Sequence, residues 1–332
     1  MKKVLLLLAA LAALFVLNIA VGNVRIPLDA VWAVLTGGEV ERASWRFIIL
    51  QSRLPQAVTA ILAGSGLAVT GMLLQTLFRN PLAGPDVFGI SSGAALAVAI
   101  VMLAMGGAVS MAGMTLTGTL AIVAAAFVGA LAVTGVIFLF STVVRSNVML
   151  LIIGMMVGYI SGSAVTLLNF FATAEGVKSY MIWGMGTFGA VSLADLPLFA
   201  VVTFILVIAA MLLAKPLNAM LLGENYARNL GVNVKSLRRV LLVITGGLTA
   251  VITAYCGPVS FIGLATPHIA RMLLRTDDHR ILLPATALCG ATIASLCCLV
   301  CTLPGENGVL PLSAITPLIG APVIVYVIIH NS

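Results

Sequence analysis

The sequence predicts an all-α polytopic membrane protein of one domain, residues 1–332, with about ten transmembrane helices and both termini in the cytoplasm. Hydrophobic residues make up 61% of the 332 residues and charged residues only 8%. A soluble protein of this length would need far more polar surface. Several apolar runs reach the ~20 residues that a helix needs to cross a bilayer. They are continuously apolar and do not alternate with polar residues, which argues against spanning strands.

The N-terminus opens with Lys2 and Lys3 and continues as an apolar run over residues 4–21 that only Asn18 interrupts. A cleaved signal peptide is the alternative interpretation, but its apolar region should hold ~7–15 residues. Because this run is longer, it predicts a retained first span.

Charge decides the number of later spans. The eighth apolar segment is short and contains His268 and Arg271. With ten spans and the N-terminus inside, twelve of the seventeen Lys and Arg residues lie on the inner side and five on the outer side. If that segment did not cross, the division would be nine to eight. Cytoplasmic loops normally carry a clear excess of Lys and Arg, so ten spans fit better. The predicted spans are 4–22, 54–77, 92–107, 115–142, 147–171, 193–214, 239–256, 260–275, 281–302 and 312–330.

The chain lacks the usual equipment for energy coupling. On this map the ten acidic residues fall in loops or at span ends, and His268 is the one imidazole inside a span, where a bond to a neighbour explains it best. Ion-coupled transporters usually keep ionisable groups in the membrane. The phosphate-loop motif is absent, and the Gly-x-Gly pattern of residues 184–189 lacks the βαβ context of a dinucleotide site. Uphill transport would therefore need a separate motor.

A polar island spans residues 215–239 between two predicted spans. It carries five of the seventeen basic residues and one acidic residue, Glu224. Its length fits two short helices joined at Gly231. A compact basic element between membrane spans predicts a docking surface for a cytoplasmic protein.

Five blocks of residues resemble the permease subunits of binding-protein-dependent ABC importers for iron–siderophores, haem and cobalamin. The resemblance runs from about Arg53 to Val327. The blocks are Arg53-Leu54-Pro55 with Arg79-Asn80-Pro81-Leu82-Ala83 and Gly89-Ile90-Ser91-Ser92-Gly93-Ala94; Trp183-Gly184-Met185-Gly186; Gly223-Glu224 with Leu230-Gly231-Val232-Asn233-Val234; Gly257-Pro258-Val259-Ser260-Phe261 with Pro267-His268; and Leu310-Pro311 with Gly320-Ala321-Pro322.

The resemblance implies an importer subunit in the bacterial cytoplasmic (inner) membrane that is not itself an enzyme. It implies a second permease copy, two cytoplasmic ATP-binding subunits that hydrolyse ATP with Mg, and a periplasmic or lipid-anchored substrate-binding protein. This chain would bind membrane lipid but no cofactor, metal or nucleic acid, and it would hold no catalytic residue. The cargo would be a metal chelate, foremost a ferric siderophore, with haem and cobalamin as alternatives.

The resemblance also implies roles for particular residues. Packing explains Leu151 as well as a gate role does, and only Arg53 among the docking candidates matches a family position. Gln56 stands where family members often carry a second arginine. The candidates are Glu224, Arg228, Leu230, Gly231 and Val232 for ATPase coupling; Asn80, Ser146, Asn147 and Leu151 for the translocation gate; and Arg53, Arg46 and Arg42 for binding-protein docking.

Two other classes stay open. An ion-coupled secondary transporter would accumulate solute from an ion gradient without any ATPase. A polytopic membrane enzyme would need facing polar residues within the membrane, and the sequence offers no cluster of His, Asp and Glu to supply them. The five cysteines lie in or beside apolar segments, and the Cys298-x-x-Cys301 pair is explained by packing.

Overall fold

The structure is a computed structural model that describes residues 2–22, 24–105, 108–111, 114–144, 146–304 and 308–331. Within these ranges the chain is almost entirely helical, and a short antiparallel hairpin of β1 (Ala108–Met111) and β2 (Met114–Thr117) interrupts the helices. The helices are α1 (Lys2–Ala20), α2 (Leu28–Leu35), α3 (Ala43–Ile48), α4 (Leu54–Phe78), α5 (Ile90–Ala99), α6 (Gly118–Val143), α7 (Asn147–Phe171), α8 (Ala174–Gly184), α9 (Leu196–Leu212), α10 (Ala214–Leu221), α11 (Glu224–Asn229), α12 (Val234–Cys256), α13 (Ile262–Leu274), α14 (His279–Thr302) and α15 (Leu312–Asn331).

Each of the ten predicted spans overlaps one of these helices, which confirms the all-helical membrane class. Six helical segments of the described chain are long and apolar enough to cross a membrane, and a seventh joins α9 and α10 across a 50° bend. The apolar helices Ile90–Ala104 and Leu312–Tyr326 are shorter. The count of ten spans and the placement of both termini stay predictions.

Helix α4 lies at the centre of the bundle and packs against α1, α9, α12, α13 and α14. Glycine makes the closest crossings possible. A Cβ on Gly64 would overlap the Gly290 carbonyl of α14, and a Cβ on Gly71 would overlap the Gly263 carbonyl of α13. Small residues at such crossings let backbones approach in a bilayer, where packing drives helix association. Gly64 and Gly71 of α4 thus lie at helix crossings.

Helices α1, α6 and α7 leave much of their apolar surface uncovered. On α7 the exposed side chains include Val148, Met156, Tyr159 and Phe170. Large uncovered apolar surfaces on a helical bundle face lipid or another protein chain. The long helix α7 therefore presents a face that this chain alone does not bury.

Candidate coupling site and translocation path

The polar island folds into a two-helix lever, α10 and α11, that leads into α12. The joint between the short helices is Gly223, with a φ of 113°, so the expectation that they meet at Gly231 is wrong. Gly231 instead turns the chain from α11 into α12, with a φ of 84° that residues carrying a Cβ rarely adopt. The Asn233 side chain then caps α12 by accepting from the Ser236 amide at 3.0 Å.

Glu224 fixes α11 against α12. Its carboxylate accepts hydrogen bonds from Arg228 at 3.3 Å and from Arg238 at 3.1 Å. Arg228 is mostly exposed, whereas Arg238 is buried on α12. A buried, charge-assisted bond contributes more than an exposed pair. Glu224, predicted to contact the ATPase, thus also holds the lever in place from within the chain.

The outer face of the lever is apolar as well as basic. Tyr226 and Leu230, four residues apart in α11 and at its end, share one helical face and are 50% and 59% exposed. Leu222, at the end of α10 before the Gly223 joint, is 65% exposed. Of the coupling candidates, Leu230, Arg228 and Gly231 are exposed and Val232 is half-buried. The residue-level prediction missed Leu222 and Tyr226, although an i, i+4 apolar pair inside a polar stretch was the available signal.

A polar network ties the lever to the membrane helices. The Asn218 amide of α10 donates to Asp278 at 2.6 Å, and its oxygen accepts from the His279 amide at 2.8 Å. On the ring of His279, Nε2 forms a hydrogen bond with the Thr76 hydroxyl of α4 at 2.8 Å. Hydrogen bonds from the Arg280 amide and from Asn218 lower the pKa of Asp278. These hydrogen bonds connect α10 with the end of α4 and the start of α14.

Two of the gate candidates, Asn80 and Ser146, lie at helix ends. Asn80 follows α4 and holds its own turn by accepting from the Leu82 amide at 2.9 Å. Ser146 is exposed and caps α7, accepting from the Met149 amide at 3.4 Å. Leu151 is half-buried. The side chain of Asn147 lies outside the described residues.

The loop between α4 and α5 packs against the bundle. It carries Asp86, which lies in a loop as the sequence predicts. The turn that holds it, Pro85–Phe88, touches Gly263 in the middle of the helix packing. Nearby, His268 bonds the Pro81 carbonyl at 2.8 Å, as expected for a residue that bonds a neighbour.

Arg53 is not a surface residue. It is 5% exposed, and its guanidinium donates to the carbonyls of Ile19 and Ala20 at 2.8 Å each and to Val24. The Ile19 and Ala20 carbonyls lie at the C-terminal end of α1, where a cation is favourable. The expectation that Arg53 presents its charge on the outer face is therefore wrong. Arg42 and Arg46 are exposed, and Arg42 lies 5.4 Å above the Trp45 ring.

Two cavities of about 170 and 180 Å³ flank Gln56 near the Arg53 end of α4. The first is lined by the loop after α8, the start of α15 and two thiols, Cys298 and Cys301. All five cysteines are free and buried. Within the described ranges, His, Cys, Asp and Glu form no group of three that could hold a metal.

Comparison with known proteins gives the family. A profile described as the FecCD transport family matches residues 10–330. The vitamin B12 import system permease protein BtuC of Salmonella typhimurium (strain LT2) is 34% identical over 304 residues, covering 89% of this chain and 87% of that protein. BtuC of Klebsiella pneumoniae is 34% identical over 295 residues, covering 89% and 86%.

Solved structures agree. A metal-chelate type ABC transporter in an inward-facing conformation superposes with a TM-score of 0.85 at 29% identity, covering both chains completely. PsaBC from Streptococcus pneumoniae, in complex with Fab, matches with a TM-score of 0.51 at 17% identity over 82% of this chain and 90% of that chain, a likeness of fold alone. With six apolar candidate spans, these relatives show a multi-pass inner-membrane protein.

Proposed function

The chain belongs to the FecCD transport family as a permease subunit of an ABC importer, and on that premise we propose that it forms the translocation path for a metal chelate. The relatives named for vitamin B12 import favour cobalamin, and a ferric siderophore or haem is the alternative cargo. The chain binds no cofactor in this proposal. Two cytoplasmic subunits hydrolyse ATP with Mg, a second permease copy completes the path, and a binding protein delivers the chelate.

One observation carries the proposal. The lever presents an apolar stripe, Tyr226 and Leu230 with Leu222 exposed before the Gly223 joint, beside the basic residues, and a partly buried ion pair and the Asn218 network hold it in place. An exposed apolar patch with a polar rim is typical of a protein-docking surface. A rigid lever transmits closure of a bound ATPase, whereas a flexible loop would absorb it.

The other proposed roles follow from position. Arg228, Leu230, Gly231 and Val232 complete the ATPase contact around the stripe. Asn80, Ser146, Asn147 and Leu151 form the gate near the predicted cytoplasmic end of the path. Arg42 and Arg46 meet acidic groups of the binding protein.

Reconstitution tests the function. We expect the complex with its ATP-binding subunits in proteoliposomes to accumulate radiolabelled cyanocobalamin, ferrichrome or haem only with ATP and the binding protein. ATPase subunits that bind but do not hydrolyse ATP are the control. Accumulation from a proton or sodium gradient without ATP would instead establish a secondary transporter.

The stripe has its own test. Tyr226→Asp places a charge in the apolar contact, so we expect the ATP-binding subunits to be lost from the purified complex and uptake to fall at least tenfold. Asn225→Asp adds the same charge to the exposed neighbouring position and should retain both. Equal behaviour of the two variants would contradict docking through the stripe.

A further inference from the structure

Asp86 lies deep in the helix bundle for a charged residue. The ring of Pro85, its neighbour, is in contact range of Gly263, since a Cβ there would lie 3.1 Å from Pro85 Cδ. Gly263 in turn touches Gly71 of α4. Gly71 precedes the Phe78 end of α4 by seven residues, or roughly 10 Å along the helix axis. Asp86 therefore lies about two helical turns inside the bundle.

Two side chains that carry hydroxyl groups bind this carboxylate. The Ser91 hydroxyl donates to Asp86 Oδ1 at 3.2 Å, and the Ser260 side chain forms a second hydrogen bond. Asp86 also lies just before the N-terminal end of α5, whose dipole favours negative charge. No ion pair of the described residues includes Asp86.

The loop that carries Asp86 is packed on α7. A Cβ on Gly89 would lie 2.8 Å from the Gly154 carbonyl, and one on Gly154 would lie 2.9 Å from the Phe88 Cα. Asp86 itself is exposed, and so is Leu82 in the same loop, at 45%. A carboxylate at this depth is too costly to face hydrocarbon, so its exposed side faces water or a second protein chain.

We propose that Asp86 is a specificity-determining residue that faces the water-filled path and makes it electronegative. It favours chelates that carry a positive charge or hydrogen-bond donors, and it disfavours anionic chelates such as tris-catecholates. Charged side chains lining a path select ions by the same means. The identity of the cargo as a chelate rests on the proposed function, whereas the potential in the path does not depend on it.

Charged thiol probes measure that potential without any cargo. Leu82→Cys, in the assembled complex in nanodiscs, is labelled with cationic and with anionic methanethiosulfonate reagents. We expect the cationic reagent to react faster, and the rate ratio to fall by roughly fivefold when Asp86→Asn is added. Asp86→Glu keeps the charge and should keep the ratio. Glu39→Gln, at an exposed acidic residue outside this loop, should not change it.

An unchanged ratio of cationic to anionic labelling rates in Asp86→Asn would overturn the inference. So would the absence of any labelling of Leu82→Cys and of Asp86→Cys, because the loop would then lie against a second chain. Transport separates this result from the function. Uptake of ferrioxamine B and of its neutral N-acetyl derivative should differ in the wild type and converge in Asp86→Asn. If the ferrioxamines, cyanocobalamin and haem are all not taken up but the ratio of labelling rates at Leu82→Cys still falls in Asp86→Asn, the proposed cargo class fails and the electronegative path stands. If a chelate is taken up and the ratio does not fall, the inference alone fails.

Discussion

At the scale of single residues, long polar side chains act far from where the sequence places them. Arg53 was assigned to the outer surface because it opens a family-like motif. The structure shows that it reaches back over thirty residues to the end of α1. Hydropathy cannot reveal this, because the partners are backbone carbonyls and leave no mark in the sequence.

Arg53→Met is expected to destabilise the protein. It leaves the carbonyls of Ile19 and Ala20 without their donor, and a hydrogen bond to a charged group contributes about 1.5–3 kcal/mol. Thermal unfolding of the purified protein in detergent measures the effect as a lower Tm. Arg53→Lys should recover part of the loss, and Arg46→Met, at an exposed site, should have none.

A docking role for Arg53 would give a different result. The affinity of the binding protein would then fall in Arg53→Met and depend on salt, with Tm unchanged. We expect the affinity for the binding protein to fall in this salt-dependent way only in an Arg42→Glu and Arg46→Glu double variant. The loss depends on salt because exposed charges are screened over about 10 Å at 0.1 M salt.

Glu224→Gln is expected to loosen the lever. The neutral side chain keeps its shape but loses the charge that holds Arg228 and Arg238. Breaking a buried pair leaves one charge uncompensated. We expect ATP hydrolysis to continue in the complex while uptake per ATP falls several-fold. Glu39→Gln should leave the uptake per ATP unchanged, and a normal ratio in Glu224→Gln would show that the ion pairs play no part in transmission.

At the scale of elements, the glycine crossings set how closely the helices approach. Gly71→Ala forces a Cβ into the Gly263 backbone, so α4 and α13 must separate. Overpacking against backbone is expected to cost about 3 kcal/mol or more. The measurement is a Tm lower by about 5 °C or more. Gly135→Ala, on α6 with nothing within 4 Å of the new methyl group, should leave Tm unchanged or slightly higher, and equal Tm values for both variants would contradict the crossing.

Hydropathy predicted where the helices lie because length and apolar content are local properties. It could not predict the depth of a loop. Asp86 stands in a polar, Pro- and Gly-rich stretch that is typical of a surface loop, but Gly263 leaves room for the neighbouring Pro85 to pack into the bundle. The Gly223 joint was missed for a similar reason, since two glycines flank α11 and only backbone geometry tells which is the hinge between the short helices.

At the scale of the whole molecule, the short eighth helix bears on the topology. Helix α13 has 13 residues, or about 20 Å of rise. The preceding segment, residues 257–261, leaves the end of α12 and descends into the bundle as far as the contact of Gly263 with Leu67. Irregular backbone at membrane depth is tolerated where protein buries it, and Gly257 and Val259 are buried. Five such residues add at most about 16 Å, so segment and helix together can cover the ~30 Å of a bilayer core.

This reasoning predicts the side of the membrane on which α13 ends. If α13 completes a crossing, Arg280 lies on the same side as the lever. Single cysteines at Lys178, Lys235 and Arg280, all exposed, are labelled with an impermeant maleimide on spheroplasts. We expect Lys178→Cys to react in intact spheroplasts, and Lys235→Cys and Arg280→Cys to react only after permeabilisation. The five native cysteines are buried and should add little background labelling. If Arg280→Cys is labelled from outside, α13 is a re-entrant helix and the chain has nine spans. The positive charges that follow α13 would then lie on the outer side of the membrane, against the usual excess of Lys and Arg on the inner side.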